Sequence, residues 1–177
     1  MSLREKKEII EQEDIAFLME YGSSIFASNK YKETIEFHEE LLRSKKIKKI
    51  NFQQDAEIHY RISYSNIKLE NPEKGLEIAE EYLQKPFIIE QLHLKTLFIQ
   101  MKAKALAKMK KFVELAIFMD RALADTPRNV ILWIEMGDIQ QLQQNYKLAI
   151  ECYEKALEIN PNFTHLKEII EYLKKGI

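Results

Sequence analysis

The stretch WIEMGDIQQLQQNYKLAIECYEKALEINP, residues 133–161, decides the fold of this chain. Its first part has the i, i+3, i+4, i+7 spacing that puts side chains on one helix face, at Trp133, Met136, Gly137 and Gln140. After a break near Gln144–Asn145, a second helical face carries Ala149, Tyr153 and Ala156. Proline ends this second helix at Asn160–Pro161, because the residue before a proline avoids the helical region. The stretch therefore predicts a pair of antiparallel helices joined by a tight turn.

Small residues on both helices predict a close contact between them. Gly137 and Ala149 have almost no side chain, so the two backbones can approach each other there. A glycine inside a helix costs about 1 kcal/mol relative to alanine, and packing must offset that cost. We expect the side chains of Trp133 and Tyr153 to fill the wider space beside the contact.

When the sequence is aligned with itself so that Pro161 falls on Pro127, the same pattern appears once more immediately upstream. In this register small and apolar residues likewise fall on residues of their own class. The period and the order of Trp, Gly, Ala, aromatic and Pro in residues 133–161 resemble the tetratricopeptide repeat, whose period is about 34 residues. Only Gln140 departs from the family pattern, at a position where the family has tyrosine.

Two less regular copies of the pattern lie further upstream. One copy has a break near Ser28–Asn29 followed by Tyr31, which corresponds to Phe112 and Tyr146 in the later units, and the other has its turn at Asn71–Pro72. The steps from Tyr31 to Pro72 and from Pro72 to Phe112 are each roughly 40 residues, which exceeds the family period of about 34 residues. We interpret the surplus segments as longer helices or loops between units, at residues 43–55 and 84–95.

The resemblance implies an all-α fold, a right-handed superhelical array of antiparallel helix pairs. We predict about four pairs plus a C-terminal capping helix, with repeats at about residues 15–48, 56–89, 96–129 and 130–163. These repeats form a domain of residues 15–161, which follows a charged N-terminal segment, residues 1–14. Residues 162–177 carry one apolar stripe, and such a helix covers the last hydrophobic face of an array.

Composition excludes several classes of protein. Only four glycines in 177 residues argue against an all-β fold, which needs many tight turns. The 27 Lys and Arg residues balance 28 Asp and Glu, so no broad positive field gathers nucleic acid, and we predict no nucleic-acid partner. A charged N-terminus and a single cysteine favour a cytoplasmic protein. The longest uncharged runs are shorter than the roughly 20 apolar residues of a membrane span, so we predict no membrane insertion.

The sequence shows no pattern typical of catalysis or metal binding. The four histidines are scattered, and His38-Glu39-Glu40 lacks the second histidine of a zincin motif, which predicts a solvated helix face. Cys152 is interpreted as a small apolar helix residue. We therefore predict no enzyme, no cofactor and no metal site. The basic run of residues 43–49 is interpreted as a solvated loop, with contact to an anionic lipid, a nucleic acid or an acidic partner as alternatives.

The resemblance implies that the first helix of each pair lines a concave face. Positions next to the core stripe and turned toward solvent are then the candidate partner-binding residues: Met19, Ser23, Phe26, Tyr60, Tyr64, Lys68, Gln100, Lys104, Lys108, Ile134, Asp138 and Gln141. This surface would suit a peptide with a hydrophobic anchor and acidic groups. Alternatively, Met19, Phe26, Tyr60 and Tyr64 belong to the core. Some family members bind the C-terminal carboxylate of a chaperone with lysine and asparagine side chains. In this chain the corresponding positions hold Met19, Ser23 and Tyr64. We therefore do not expect a chaperone carboxylate as the ligand.

The sequence therefore predicts a non-catalytic interaction module that binds a peptide or helix of a partner protein in the concave groove. Two alternatives remain open at this point. One is a peptide-sensing regulatory protein resembling helical-repeat signal-peptide receptors, whose repeats are often as long as the two early ones of this chain. The other is a scaffold that associates with itself as a homo-oligomer.

Overall fold

The computed structural model describes residues 3–175, which contain helices and no β-strand. The α-helices are α1 Leu3–Gln12, α2 Ile15–Ala27, α3 Tyr31–Arg43, α4 Phe52–Lys68, α5 Pro72–Leu83, α6 Pro86–Glu90, α7 Leu92–Lys108, α8 Phe112–Asp125, α9 Val130–Leu142, α10 Tyr146–Ile159 and α11 His165–Lys175. A 3-10 helix, Lys45–Lys49, lies between α3 and α4. The predicted all-α fold of helix pairs is confirmed. Residues 1–2 and 176–177, which the predicted terminal segments include, lie outside the described residues.

The chain folds as two compact units, residues 1–109 and residues 110–177. In the first unit, α2 packs against α3, α3 against α4, α4 against α5, and α5 against α7, while α1 packs on α3. In the second unit, α9 packs against α10 and α10 against α11. The boundary between the units falls in the turn between α7 and α8, within the predicted third repeat.

One type of turn recurs at four places along the backbone. Asn29, Glu70, Lys110 and Gln144 have φ angles of 57°, 59°, 58° and 62°. Each lies two residues before the first residue of α3, α5, α8 or α10. A left-handed residue of this kind reverses the chain after the end of a helix. The backbone therefore repeats even where the sequence pattern is irregular.

We predict that Gln144→Gly stabilises the second unit by about 0.5–1 kcal/mol, because glycine adopts a positive φ without the clash that Cβ causes. Gln143 is the matched control, since its φ of −84° gives glycine no advantage. Urea unfolding followed by the fluorescence of Trp133, the only tryptophan, measures the difference. Equal effects of the two substitutions would contradict the prediction.

The segments that lengthen the early repeats contain additional helical structure. Residues 43–55 include the 3-10 helix and the start of α4, and residues 84–95 include α6 and the start of α7. Helices α4 and α7 have 17 residues each, whereas α2 and α9 have 13. The surplus is therefore divided between longer first helices and short connecting helices.

A glycine of the first helix faces a ring of the second helix in two pairs. A Cβ atom on Gly137 would lie 2.4 Å from Cε1 of Tyr153, and one on Gly22 would lie 2.6 Å from Nε2 of His38. Both rings are fully buried. The ring of Tyr153 thus covers Gly137 directly, whereas the sequence led us to expect that ring beside the close contact.

His38 is a core residue, and the prediction of a solvated helix face at this position was wrong. The separation of His38 from Gly22 along the chain equals that of Tyr153 from Gly137, and His38 fills the same position in its pair. Its Nδ1 lies 2.7 Å from the carbonyl oxygen of Thr34 and donates a hydrogen bond to it. Burial lowers the pKa of His38 from its usual 6.5 to about 4, so the ring is neutral at pH 7.

Candidate functional site

Four aromatic side chains of the first unit meet in what we call the aromatic cluster: Phe26 of α2, Tyr31 of α3, and Tyr60 and Tyr64 of α4. The ring centroids of Phe26 and Tyr64 are 5.3 Å apart in an edge-to-face arrangement, and those of Phe26 and Tyr60 are 6.1 Å apart. Such geometry is favourable for aromatic pairs. All four side chains are half-buried, so the cluster keeps part of its surface in contact with solvent.

Helical spacing aligns the α4 part of this site. Tyr60, Tyr64 and Lys68 are four residues apart and therefore follow one another along one helix face. The exposed Lys68 places its Nζ 5.3 Å from the centroid of the Tyr64 ring, within the range of a cation–π interaction. The predicted residues Phe26, Tyr60, Tyr64 and Lys68 thus form one continuous surface of rings ending in a positive charge.

Met19, also proposed as a partner-binding residue, lies in the core. Its side chain is only 9% exposed, and its helix neighbours Leu18 and Gly22 are buried as well. The sequence left open that Met19, Phe26, Tyr60 and Tyr64 all belong to the core. For Met19 this alternative is correct. It does not describe the half-buried rings of Phe26, Tyr60 and Tyr64.

Helix α7 contributes a polar face to the first unit. Gln100, Lys104 and Lys108 are spaced four residues apart, and the first two are half-buried. Lys108 is exposed, and its Nζ lies 2.5 Å from Oε1 of Glu70, the left-handed residue of the turn before α5. An exposed pair of this kind contributes only about 0–1 kcal/mol, so an acidic group of a partner can compete for the lysine.

In the second unit, Tyr153 positions two of the proposed residues. Its hydroxyl donates to Oδ1 of Asp138 at 2.8 Å and lies 3.0 Å from the side-chain oxygen of Gln141. Burial and this hydrogen bond raise the pKa of Tyr153, so the hydroxyl keeps its proton at neutral pH. Ile134 is half-buried and packs against the core around Tyr153. Asp138 and Gln141 were predicted from the sequence, but this support was not, because the contact joins two different helices.

A second tyrosine, Tyr82, also lies in a polar network that sequence reasoning missed. Its buried hydroxyl donates to the carboxylate of Asp55, and Nδ1 of His59 lies 2.7 Å from the same hydroxyl. The ring of Phe98 stacks on Tyr82 at 4.7 Å between centroids. The network ties α4, α5 and α7 together.

Three further observations concern a reactive group, metal binding and membranes. Burial, together with the nearby carboxylates of Glu151 and Asp120, raises the pKa of the Cys152 thiol to about 11. The thiol is therefore protonated at neutral pH and a poor nucleophile.

Across residues 3–175, no cluster of three or more His, Cys, Asp or Glu side chains is placed to hold a metal ion. None of the helices described here combines the length and the apolar composition that a bilayer crossing requires.

Comparison with known proteins gives one repeat match and one shared fold. Residues 130–163, which contain α9 and α10, match the family model described as tetratricopeptide repeat. A crystal structure of MamA superimposes with a TM-score of 0.55 at 16% identity, covering 88% of this chain and 83% of MamA. A second MamA structure, AMB-1, gives a TM-score of 0.53 at 13% identity, with 91% of this chain and 81% of MamA covered. No curated protein sequence matches the chain.

These findings define the class of the molecule as a helical-repeat protein, since paired helices, a recurring turn and a shared fold coincide. Residues 130–163 match a tetratricopeptide repeat, as the pattern of residues 133–161 predicted. The matched residues begin at the start of α9 and end just beyond Pro161, so they contain the whole pattern of residues 133–161.

Proposed function

We propose that the chain is a non-catalytic, cytoplasmic interaction module that binds a peptide or helix of a partner protein on the face formed by the first helices of its pairs. The observation that carries this proposal is the aromatic cluster. Phe26, Tyr60 and Tyr64 come from successive first helices, α2 and α4, Tyr31 comes from the second helix α3, and all four rings remain half-exposed. A partner segment lying across α2 and α4 would contact the first three of these rings.

The chemistry of the cluster indicates which partner it suits. Tyrosine is enriched among the residues that dominate binding energy, because its large ring loses little conformational entropy on contact. Lys68 adds a positive charge at one end of the rings, and Lys104 and Lys108 supply more on α7. We therefore expect a segment with an apolar anchor and acidic neighbours. On the second unit, Asp138 and Gln141 offer polar contacts whose orientation Tyr153 holds.

The first experiment is affinity capture from the native host with the purified chain as bait, followed by mass spectrometry. Wild-type protein is compared with Lys68→Glu and with Lys147→Glu, which makes the same charge change on the exposed side of a second helix. We expect a partner that Lys68→Glu loses and Lys147→Glu keeps. If both variants retain the same proteins as wild type, the assignment of the binding face is wrong.

The peptide-sensing alternative has one observation in its favour, the long spacing of the turns at Asn29, Glu70 and Lys110. A sensor would be stabilised by a free short peptide, whereas an interaction module needs the segment of its protein partner. A thermal-shift screen with short peptides separates the two functions. Stabilisation by a free peptide that Tyr64→Ala abolishes would favour the sensor.

A further inference from the structure

The two segments that lengthen the early repeats meet on the surface of the first unit. Phe52, from residues 43–55, begins α4, and Phe87, from residues 84–95, lies on α6. Their ring centroids are 5.1 Å apart. The tetratricopeptide repeat is complete without either segment, as residues 130–163 show. The surface that they build together is therefore an addition to the repeat.

This surface is apolar and exposed. Phe52 is 73% exposed, Ile89 is 54% exposed and Leu92 is 56% exposed. Ile88 is fully buried and anchors α6, which turns Ile89 outward. Single exposed apolar residues are ordinary, but several at the adjoining ends of α4, α6 and α7 indicate an interaction site.

A cationic segment adjoins the apolar side chains. The 3-10 helix exposes Lys45, Lys48 and Lys49, and only two residues separate Lys49 from Phe52. Lys46 donates to the carbonyl oxygen of Glu13 at 2.5 Å, which fixes the 3-10 helix against the end of α1. No acidic residue occurs in residues 41–54, although the whole chain has a net charge of −1. The positive charge is therefore local and held in place.

We propose that this surface docks the protein on a bilayer that contains anionic phospholipids. The three exposed lysines face the lipid headgroups, and Phe52, Ile89 and Leu92 enter the headgroup region. Basic residues are attracted to anionic leaflets, and apolar side chains that project beside them add to the binding. The sequence favoured a solvated loop for residues 43–49, with an anionic lipid as one alternative, and the proposal adopts that alternative.

The shape and composition of the surface favour lipid over other anionic partners. Ile89 and Leu92 are aliphatic and cannot stack on nucleic-acid bases as aromatic rings do. Phe52, Ile89 and Leu92 are exposed on three different helices, whereas a partner helix binds in a groove. A fluid bilayer accepts projecting side chains without a matching shape.

Flotation of the full chain with vesicles tests the proposal. We expect binding to phosphatidylcholine vesicles in which about one lipid in three is phosphatidylserine, and little binding to phosphatidylcholine alone. A triple variant should lower the vesicle partition coefficient by about 100-fold; its substitutions are Lys45→Gln, Lys48→Gln and Lys49→Gln. Phe52→Ser should lower it by about tenfold. All four positions are exposed, so the variants should fold, and far-UV circular dichroism checks this.

The matched control is Lys32→Gln, Lys147→Gln and Lys167→Gln, which removes the same charge from exposed sites elsewhere. This control should bind vesicles as wild type does. An equal loss of binding in the control would overturn the assignment of the surface. Failure of the wild type to bind phosphatidylserine vesicles would overturn membrane docking and leave an acidic protein segment as the occupant. Neither result bears on the aromatic cluster, which Lys68→Glu tests separately.

Discussion

Replacing Gly137 by valine is expected to destabilise the second unit by about 3 kcal/mol, the upper part of the range for overpacking a core. A Cβ atom at this position would lie 2.4 Å from Cε1 and 2.7 Å from Cδ1 of Tyr153. The ring is fully buried and its hydroxyl is bound to Asp138, so it cannot move aside without losing packing and a hydrogen bond. Urea unfolding followed by Trp133 fluorescence measures the change, because Trp133 lies on the same helix.

Two further variants make this result specific. Leu142→Val introduces the same β-branched residue at an exposed position of α9 and should change stability by less than about 0.5 kcal/mol. Combining Gly137→Ala with Tyr153→Leu should cost less than the sum of the two single substitutions, because the smaller side chain makes room for the new methyl group. An unchanged unfolding midpoint for Gly137→Val would contradict the close contact between α9 and α10.

Lowering the pH from 6.5 to 4 is expected to remove about 3 kcal/mol of stability from the first unit through His38 alone. The pKa of His38 is about 4 in the folded chain, chiefly because of burial, and 6.5 is its usual value. Between these values the unfolded chain binds more protons than the folded chain. The contribution of neutral His38 is therefore complete above pH 6.5 and is lost as the pH falls toward 4.

Urea unfolding by far-UV circular dichroism across this pH range tests the effect. His38→Phe keeps a ring against Gly22 but removes the titrating group, so its stability should fall less steeply with acid than that of wild type. His93→Gln, at an exposed position, should follow wild type. Identical slopes for wild type and His38→Phe would show that the histidine does not titrate between these values.

The last repeat could be predicted from the sequence because its residues are rare and each has a separate packing role. Gly137 lies in the close contact, Tyr153 covers it, and Pro161 follows the end of α10. The turns were harder to predict. Glu70, Lys110 and Gln144 take a left-handed conformation that their residue types do not signal, since glycine and asparagine are the usual residues there.

Features that depend on contacts between helices were missed. Two glutamates follow His38 and suggested a solvated face, but its partner is Gly22 on the preceding helix. The contact between Phe52 and Phe87 joins two irregular segments that are distant in the chain and that no periodicity relates. The division of the chain between Met109 and Lys110 likewise follows from packing and has no linker composition to mark it.

For the candidate site, helical geometry predicted which side chains share a face but not how deep each one lies. Tyr60, Tyr64 and Lys68 follow one another along α4 as expected, and Phe26 joins them from α2. Met19, nearer the start of α2, is buried, whereas Phe26 near its end is half-buried. Depth depends on the rotation of α2 about its own axis, and spacing alone does not determine that rotation.

The central proposal is that the aromatic cluster and Lys68 bind a partner segment. The most direct test is isothermal titration of the captured partner's segment into wild type, Tyr64→Ala, Lys68→Glu and Lys147→Glu. We predict that Tyr64→Ala weakens the affinity by about 10- to 100-fold and Lys68→Glu by about tenfold, with Lys147→Glu unchanged. Equal dissociation constants for all four proteins, each folded by circular dichroism, would contradict the proposal.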